Sequence, residues 1–135
     1  MVVALVVLLV LTLIGFSSIN TTTFESNISG NERCGTDAFY AAEAGLQVGF
    51  NQLPNTAAIA ATALGDASYW SGTTKDKAAP KALTAGGLYK KEGYDVSFSF
   101  RTYGVNAAGD SGGAVKEVDS KVSYGPFSSG TSYNN

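Results

Sequence analysis

MVVALVVLLVLTLIGFSSI, residues 1–19, contains no charged side chain and decides how this chain is organised. At a rise of about 1.5 Å per residue, a helix of this length reaches roughly 28 Å, close to the thickness of a bilayer's hydrocarbon core. The first charge along the chain is Glu25. We therefore predict an apolar helix that anchors the chain in a membrane or in a bundle of helices.

The flanks of this stretch fit neither a cleaved secretory signal nor an ordinary single-pass anchor. A signal has a basic region before its apolar core, and an anchor has Lys or Arg on its cytoplasmic side. The first basic residue here is Arg33. Both departures are explained if a short basic leader precedes Met1 in a precursor and is removed, which we state as an expectation.

Helix propensity falls directly after the apolar stretch. Residues 20–23 are Asn-Thr-Thr-Thr, and Thr combines β-branching with a hydroxyl that competes for backbone hydrogen bonds. Gly15 and Gly30 lie on either side. We expect the helix to be weakest between Gly15 and Thr23, where it is bent or locally extended.

A stronger helical pattern follows from Asn31 to Leu53, and Pro54 is a stop signal. Its apolar residues recur every three or four positions, which predicts one face that packs against a globular partner. We assign 1–53 to one long helix, apolar over 1–24 and amphipathic over 31–53, and 54–135 to a second domain. The predicted face consists of Phe39, Ala42, Leu46, Phe50 and Leu53.

A neighbouring stripe of the helix carries a small residue at every fourth position. Ala41, Gly45 and Gly49 would let another backbone approach closely along that side. We interpret the stripe as a candidate subunit contact. The alternative is an ordinary contact between the helix and the sheet of the same chain.

The C-terminal part predicts a small antiparallel β domain, so the fold class is α+β. Residues 94–101 alternate between apolar and polar side chains and predict a half-buried strand. Residues 115–124 alternate less regularly, and the Gly-rich segment 104–113 would join the two strands as a hairpin. Residues 83–91 are a candidate third strand. We expect 54–81 to be a loop and 125–135 a flexible tail.

Composition argues against several classes of function. The net charge is −2, and Lys90-Lys91 is followed at once by Glu92, so no basic patch predicts nucleic-acid binding. The chain has no His, the commonest general base and transition-metal ligand. Its single Cys34 cannot form an intramolecular disulfide and is expected to be a small buried apolar residue. We predict no catalytic residues, no cofactor and no metal.

The pentapeptide Gly-Asp-Ser-Gly-Gly, residues 109–113, matches the nucleophile signature of chymotrypsin-like proteases. That Ser needs a His to accept its proton, and this chain has none. We therefore interpret the motif as hairpin turn chemistry, for which Gly and Asp are favoured. A Ser-Lys pair with Lys116 or Lys121 lacks a supporting motif. A calcium site that uses Asp110, Glu117 or Asp119 is the remaining metal alternative.

Four runs occur in order along the first third of the chain: LVLTLIG from residue 9, TTTFE from 21, SGN from 29 and AFYAAEAGL from 38. This succession resembles the type IV pilin-like proteins with a PilX-type N-terminal domain, a pilus assembly family. The resemblance implies a long helix packed on a small β domain. It also implies a structural, non-enzymatic subunit that polymerises through its apolar helix.

The resemblance further implies a precursor whose basic leader is cut by a prepilin peptidase, leaving Met1 as the first mature residue. The helix would lie in the inner membrane of a Gram-negative bacterium before the assembly machinery moves it into an extracellular filament of identical subunits. There the β domains would face outward. A minor pilin, a pseudopilin of a secretion system or a single-pass anchored binding domain are the alternatives. The implied helix packing residues are Met1, Leu5, Val6, Leu9 and Leu13.

One position departs from the family pattern. Many type IV pilins have Glu at the fifth mature position, whereas this chain has Leu5. Registration of subunits would then rest on apolar packing, with Thr12, Asn20 or Glu25 as polar candidates. Pilins in filaments often melt part of this helix, which by analogy places a melting segment at Gly15, Asn20, Thr21 and Thr22.

Overall fold

The computed structural model describes residues 1–128 and shows one helix followed by five antiparallel strands. Helix α1 spans Val2–Gln52. The chain divides into two compact units, Met1–Arg33 and the part from Cys34 onward, and α1 contributes to both. The predicted α+β class, with one long apolar N-terminal helix and a small antiparallel sheet, is confirmed. The strands are β1 Thr62–Leu64, β2 Ala67–Ser71, β3 Thr84–Tyr89, β4 Phe98–Ser111 and β5 Ala114–Ser128.

Strand β4 is the centre of the sheet. One of its edges pairs with β5 from Phe98 to Ser111, and β2 and β3 share the other edge. β2 pairs with the C-terminal part of β4, β3 with its N-terminal part, and β1 extends the sheet beyond β2. Every pairing is antiparallel. A single long strand therefore holds the sheet together.

The helix residues from Cys34 onward lie on this sheet through small side chains. A Cβ added to Gly49 would lie 2.5 Å from Cγ1 of Val105, and one on Gly45 would lie 3.1 Å from Cβ of Ala107. Such distances leave no room for larger residues. The helix therefore approaches the strands closely. The buried helix residues are Ala38, Ala41, Ala42, Gly45, Leu46 and Gly49.

The hydrophobic core forms where the end of the helix meets β4. Leu46 and Leu53 pack with Leu83 and with the β4 residues Tyr103 and Val105. Alternation along β4 directs its odd-numbered residues in this section toward the helix. The even-numbered residues are thereby directed toward the opposite face of the sheet. Phe50, Val118 and Val122 pack around this core and are partly buried.

A second, smaller layer covers the opposite face beside β2. Trp70 is 1% exposed, and its indole Nε1 donates to the carbonyl of Thr73, 2.9 Å away. The buried hydroxyl of Ser71 accepts from the amide of Ile59 and donates to the carbonyl of Lys81, 2.6 Å away. These bonds hold the segment 72–82 over the indole ring. The single Trp thus reports on this segment.

The structure corrects several sequence-based expectations for the residues that precede β4 and for the helix face. Residues 54–81 are not one loop, because β1 and β2 form a hairpin within them. Residues 94–97 precede β4 in a turn, where the backbone amide and hydroxyl of Ser97 bind Asp95 instead of a neighbouring strand. The predicted third strand is confirmed as β3. Phe39 lies outside the buried helix face and is 41% exposed, because the sheet accepts the smaller Ala38 in that turn.

The hairpin itself is tighter than expected. Residues 104–111 belong to β4, and only Gly112 and Gly113 form the turn. Both have positive φ, +54° and +86°, the backbone sign of the type I′ turn that suits twisted strands. β5 continues to Ser128, so 125–128 are strand and not tail. The rest of the predicted tail lies outside the described residues.

Candidate functional site: the apolar segment of the helix

Residues 1–19 of the first compact unit form an uncharged, apolar stretch of helix in which every side chain is exposed. Leu5 is 67% exposed, Val6 55% and Leu13 62%. One stretch of α1 is long and apolar enough to cross a membrane, and none of it is buried. A continuous apolar surface of this kind marks a site for lipid or for another protein. Met1 and Leu9 share this exposure.

The segment predicted to melt is helical in the isolated chain. Gly15 and residues 20–23 all belong to α1, so the expected local extension is absent among the described residues. The hydroxyls of Thr21, Thr22 and Thr23 donate to the carbonyls four residues earlier, at 3.1, 3.1 and 2.9 Å. This bonding satisfies the hydroxyls without water but bends or weakens helices. Melting of the segment on assembly stays a prediction.

The small-residue stripe lies inside the second unit. Ala41 is fully buried, Gly45 faces Ala107 and the ring of Tyr69, and Gly49 faces Val105. These are contacts between the helix and the sheet of the same chain, the alternative to a subunit contact. The stripe leaves no free surface for a neighbouring subunit while the helix rests on the sheet. The structure therefore places the small-residue stripe in one contact with the sheet, whereas the five predicted apolar packing residues make no such contact.

The protease-like pentapeptide spans the end of β4 and the turn after it. Ser111 is 7% exposed, and the Asp110 carboxylate accepts hydrogen bonds from Ser68 and Lys77. Burial raises the pKa of Asp110, but the bonds from Lys77 and Ser68 outweigh it and leave the pKa below its ordinary value. In residues 1–128 no three His, Cys, Asp or Glu side chains cluster as metal ligands would. Turn chemistry at Gly112 and Gly113 is confirmed by their positive φ.

Cys34 lies under this turn. A Cβ on Gly112 would stand 2.5 Å from Sγ of Cys34, so the thiol fills the space that the glycine leaves open. The side chain is half-buried and unpaired by disulfide. Its packing role agrees with the expectation of a small apolar residue, although its burial is only partial.

A groove on the sheet face opposite the helix was missed by sequence reasoning. Its volume is about 490 Å³, and it lies between the segment 72–83, β3 and the outward residues of β4 and β5. We call it the outer groove. No local motif marks it, because its lining comes from four separate stretches of the chain. Its principal lining residues are Thr73, Thr84, Gly104, Asn106, Asp119 and Lys121.

The fold and the site define a protein whose N-terminal helix segment is long and apolar enough to cross a membrane and whose C-terminal part forms a small antiparallel sheet. Residues 1–47 match the family model described as PilX N-terminal. This match confirms the resemblance over the first third of the chain and relates the segment to type IV pilus assembly. No curated protein and no solved structure matches the chain significantly.

Proposed function

We propose that this chain is a structural, non-enzymatic subunit of a type IV pilus-like filament. The observation that carries the proposal is the exposed, uncharged helix surface of residues 1–19 within a segment that matches the PilX N-terminal family. In the filament this surface is covered by the same surface of identical subunits. The packing residues are Met1, Leu5, Val6, Leu9 and Leu13.

Before assembly, the same helix lies in the inner membrane of a Gram-negative bacterium, and the filament is extracellular. Lipid tails are as apolar as Leu, so the transfer from bilayer to helix bundle is nearly neutral in hydrophobic terms. Close packing and the assembly machinery therefore drive the transfer. Identical subunits, that machinery and the prepilin peptidase are the proposed partners.

Replacement of Val6 by Lys tests the proposal. Near the end of a membrane helix, the Lys stem reaches the interface and keeps its ammonium in water. In the core of a helix bundle the same charge is buried without a partner, which is strongly unfavourable. We expect Val6→Lys to retain the chain in the membrane fraction and to abolish filaments, while Val6→Leu preserves both.

The measurement is negative-stain microscopy of sheared surface fibres with gold-labelled antibody against the second unit. Label along the fibres supports a structural subunit, and label confined to their tips supports a minor subunit. Membrane-bound chain with no labelled fibre in the wild type supports a single-pass anchored domain and contradicts the proposal. Labelled fibres from Val6→Lys contradict the packing role of Val6.

A further inference from the structure

Strand β5 presents a long free edge of the sheet. It pairs on one side with β4, and within residues 1–128 no second strand pairs with it. No backbone hydrogen bond outside the sheet involves residues 114–126. Every residue of β5 is at least partly exposed. The free edge therefore carries unpaired amide and carbonyl groups, which are the groups that another strand binds.

The side chains of β5 alternate between the two faces of the sheet. Val118 and Val122 pack around the core and so lie on the helix side. Asp119 and Lys121 therefore point to the opposite face. Both are exposed, and neither forms a side-chain hydrogen bond or an ion pair within residues 1–128. Two opposite charges thus stand two positions apart on a free edge, without partners in their own chain.

The sequence of β5 is complementary to itself in one antiparallel register, which is centred on Ser120. Two identical strands can pair through their free edges only with residues of equal parity opposite each other, because alternate residues turn their backbone groups to that edge. With Ser120 opposite Ser120 of a second copy, Asp119 of each copy lies opposite Lys121 of the other. On the helix side, Val118 of each copy lies opposite Val122 of the other. Both faces of the shared sheet therefore match.

The charges also exclude the neighbouring registers. A centre one residue later puts Lys121 opposite itself, and a centre one residue earlier puts Asp119 opposite itself. Centres two and three residues earlier put Glu117 opposite Asp119 and opposite itself. Like charges directly opposite each other are destabilising, and charges on an edge strand normally block pairing for this reason. Here they leave the register centred on Ser120 open.

The helices leave room for this contact. Gly45 and Gly49 lie against Ala107 and Val105, which places the helix over β4 and not over the free edge. Neighbouring strands lie about 4.8 Å apart, so two copies of β4 separated by two copies of β5 would be about 14 Å apart. A helix with its side chains is about 10–12 Å wide. Two helices therefore fit side by side on the shared sheet.

We propose that two copies of the second unit pair through β5, antiparallel and about a two-fold axis at Ser120, so that the sheet continues from one copy into the other. The opposite charges of Asp119 and Lys121 select both the partner and the register. Pro126 has no amide hydrogen and limits the pairing to residues 116–124. The pairing does not depend on filament formation, because all of β5 belongs to the second unit.

Disulfide trapping of the full chain tests the register. The test variant combines Cys34→Ser with Ser120→Cys, in phosphocholine micelles at a large excess of micelles over chain, which suppresses contacts between apolar helices. Directly opposite residues have Cβ atoms about 4.5–5.5 Å apart, within reach of a disulfide after a small movement. We expect a covalent dimer under mild oxidation. Cys34→Ser with Ser123→Cys is the matched control and should give none, because its two thiols would lie six positions apart, about 20 Å.

Exchange of charges tests the choice of partner. In the Ser120→Cys background, Asp119→Lys puts lysines opposite each other and Lys121→Asp puts aspartates opposite each other. Each variant alone should therefore cross-link at least about tenfold less. A mixture of the two variants should recover cross-linking, because opposite charges then face each other at both positions. A size tag on one variant identifies the mixed dimer on a non-reducing gel.

Three results overturn the proposal: no covalent dimer from Ser120→Cys, an equal yield from Ser123→Cys, or an unchanged yield in Asp119→Lys alone. A mixed dimer formed in preference to either dimer of a single variant supports it. Association through the apolar helices would instead give the same yield in every variant, since all of the substitutions lie outside residues 1–19.

Discussion

Gly109 on β4 lies directly against Ala42 on the helix: a Cβ on Gly109 would stand 2.5 Å from the backbone nitrogen of Ala42. The same Cβ would come within 2.9 Å of Cβ of Ala41 and closer still to the carbonyl oxygen of Ala38. Two of these three neighbours are backbone atoms and cannot rotate away. Gly109 thus sets how closely the helix lies on the sheet.

Replacement of Gly109 by Ala should destabilise the second unit by about 3 kcal/mol or more, because helix and sheet must move apart. Urea denaturation followed by Trp70 fluorescence measures the free energy of unfolding. Gly87→Ala is the control and should change that free energy by no more than about 0.5 kcal/mol, since its Cβ meets nothing within 4 Å. Equal stability of the two variants would contradict the close contact.

Acidification should loosen the segment 72–82 that covers Trp70. The Asp76 carboxylate accepts from the Thr73 hydroxyl at 2.6 Å and from the Thr73 amide at 2.8 Å. These bonds, with Lys81, hold the pKa of Asp76 below its ordinary value of 3.8. A carboxyl group whose pKa is lowered by folding stabilises the fold at pH values above its ordinary pKa. This stabilisation is lost as the pH falls through the pKa of the folded state.

Trp70 fluorescence between about pH 5 and pH 2 checks this. We expect the emission to change within that window and Asp76→Asn to show the acid-state emission at pH 5. Asp110 also has a lowered pKa, and its partner Lys77 lies over the Trp70 ring, 5.3 Å from the ring centroid to Nζ. The variant Asp110→Asn therefore separates the contribution of Asp110 to the acid transition from that of Asp76. If Asp76→Asn still shows the full change in emission, the acid transition is caused by Asp110 and not by Asp76.

The threonine run should control the stability of the helix in the first unit. Ala has the highest helix propensity, and replacement of Thr by Ala gains up to about 0.7 kcal/mol per residue. The triple replacement of Thr21, Thr22 and Thr23 by Ala should therefore slow amide hydrogen exchange in residues 15–24. Thr12→Ala removes a similar bond, from its hydroxyl to the Leu8 carbonyl at 3.1 Å, outside the run and is the control. Unchanged exchange in the triple variant would remove the basis for a melting segment.

The helix and its two environments could be predicted from sequence because their signals are local. The apolar run that starts at residue 1 and the stop signal at Pro54 bracket α1 closely, and its end at Gln52 agrees with the expected position. Which residues of the helix pack on the sheet was harder to predict from the sequence pattern. Periodicity weights large apolar residues such as Phe39, whereas the sheet selected Ala38 and Gly45 because their size permits close contact.

The rest depended on contacts between distant parts of the chain. β1 and β2 escaped detection because their short stretches are rich in Ala and Ser, and only pairing with β4 makes β2 a buried strand. Residues 94–101 alternate regularly, yet the strand begins at Phe98 because Asp95 binds Ser97 locally. The outer groove appears only after pairing places Asp119 beside Asn106.

Gly109 and Ala42 are far apart in the sequence, so their contact also determines the order of folding events during synthesis. The apolar segment and the helix face around Ala42 leave the ribosome before β4, the strand that covers this face. The second unit cannot close until β4 has emerged, because long-range pairing must wait for both partners. If the apolar segment inserts in the membrane as the proposed function requires, its insertion can therefore precede folding of the second unit, and the bilayer then holds the nascent chain while its sheet is still incomplete.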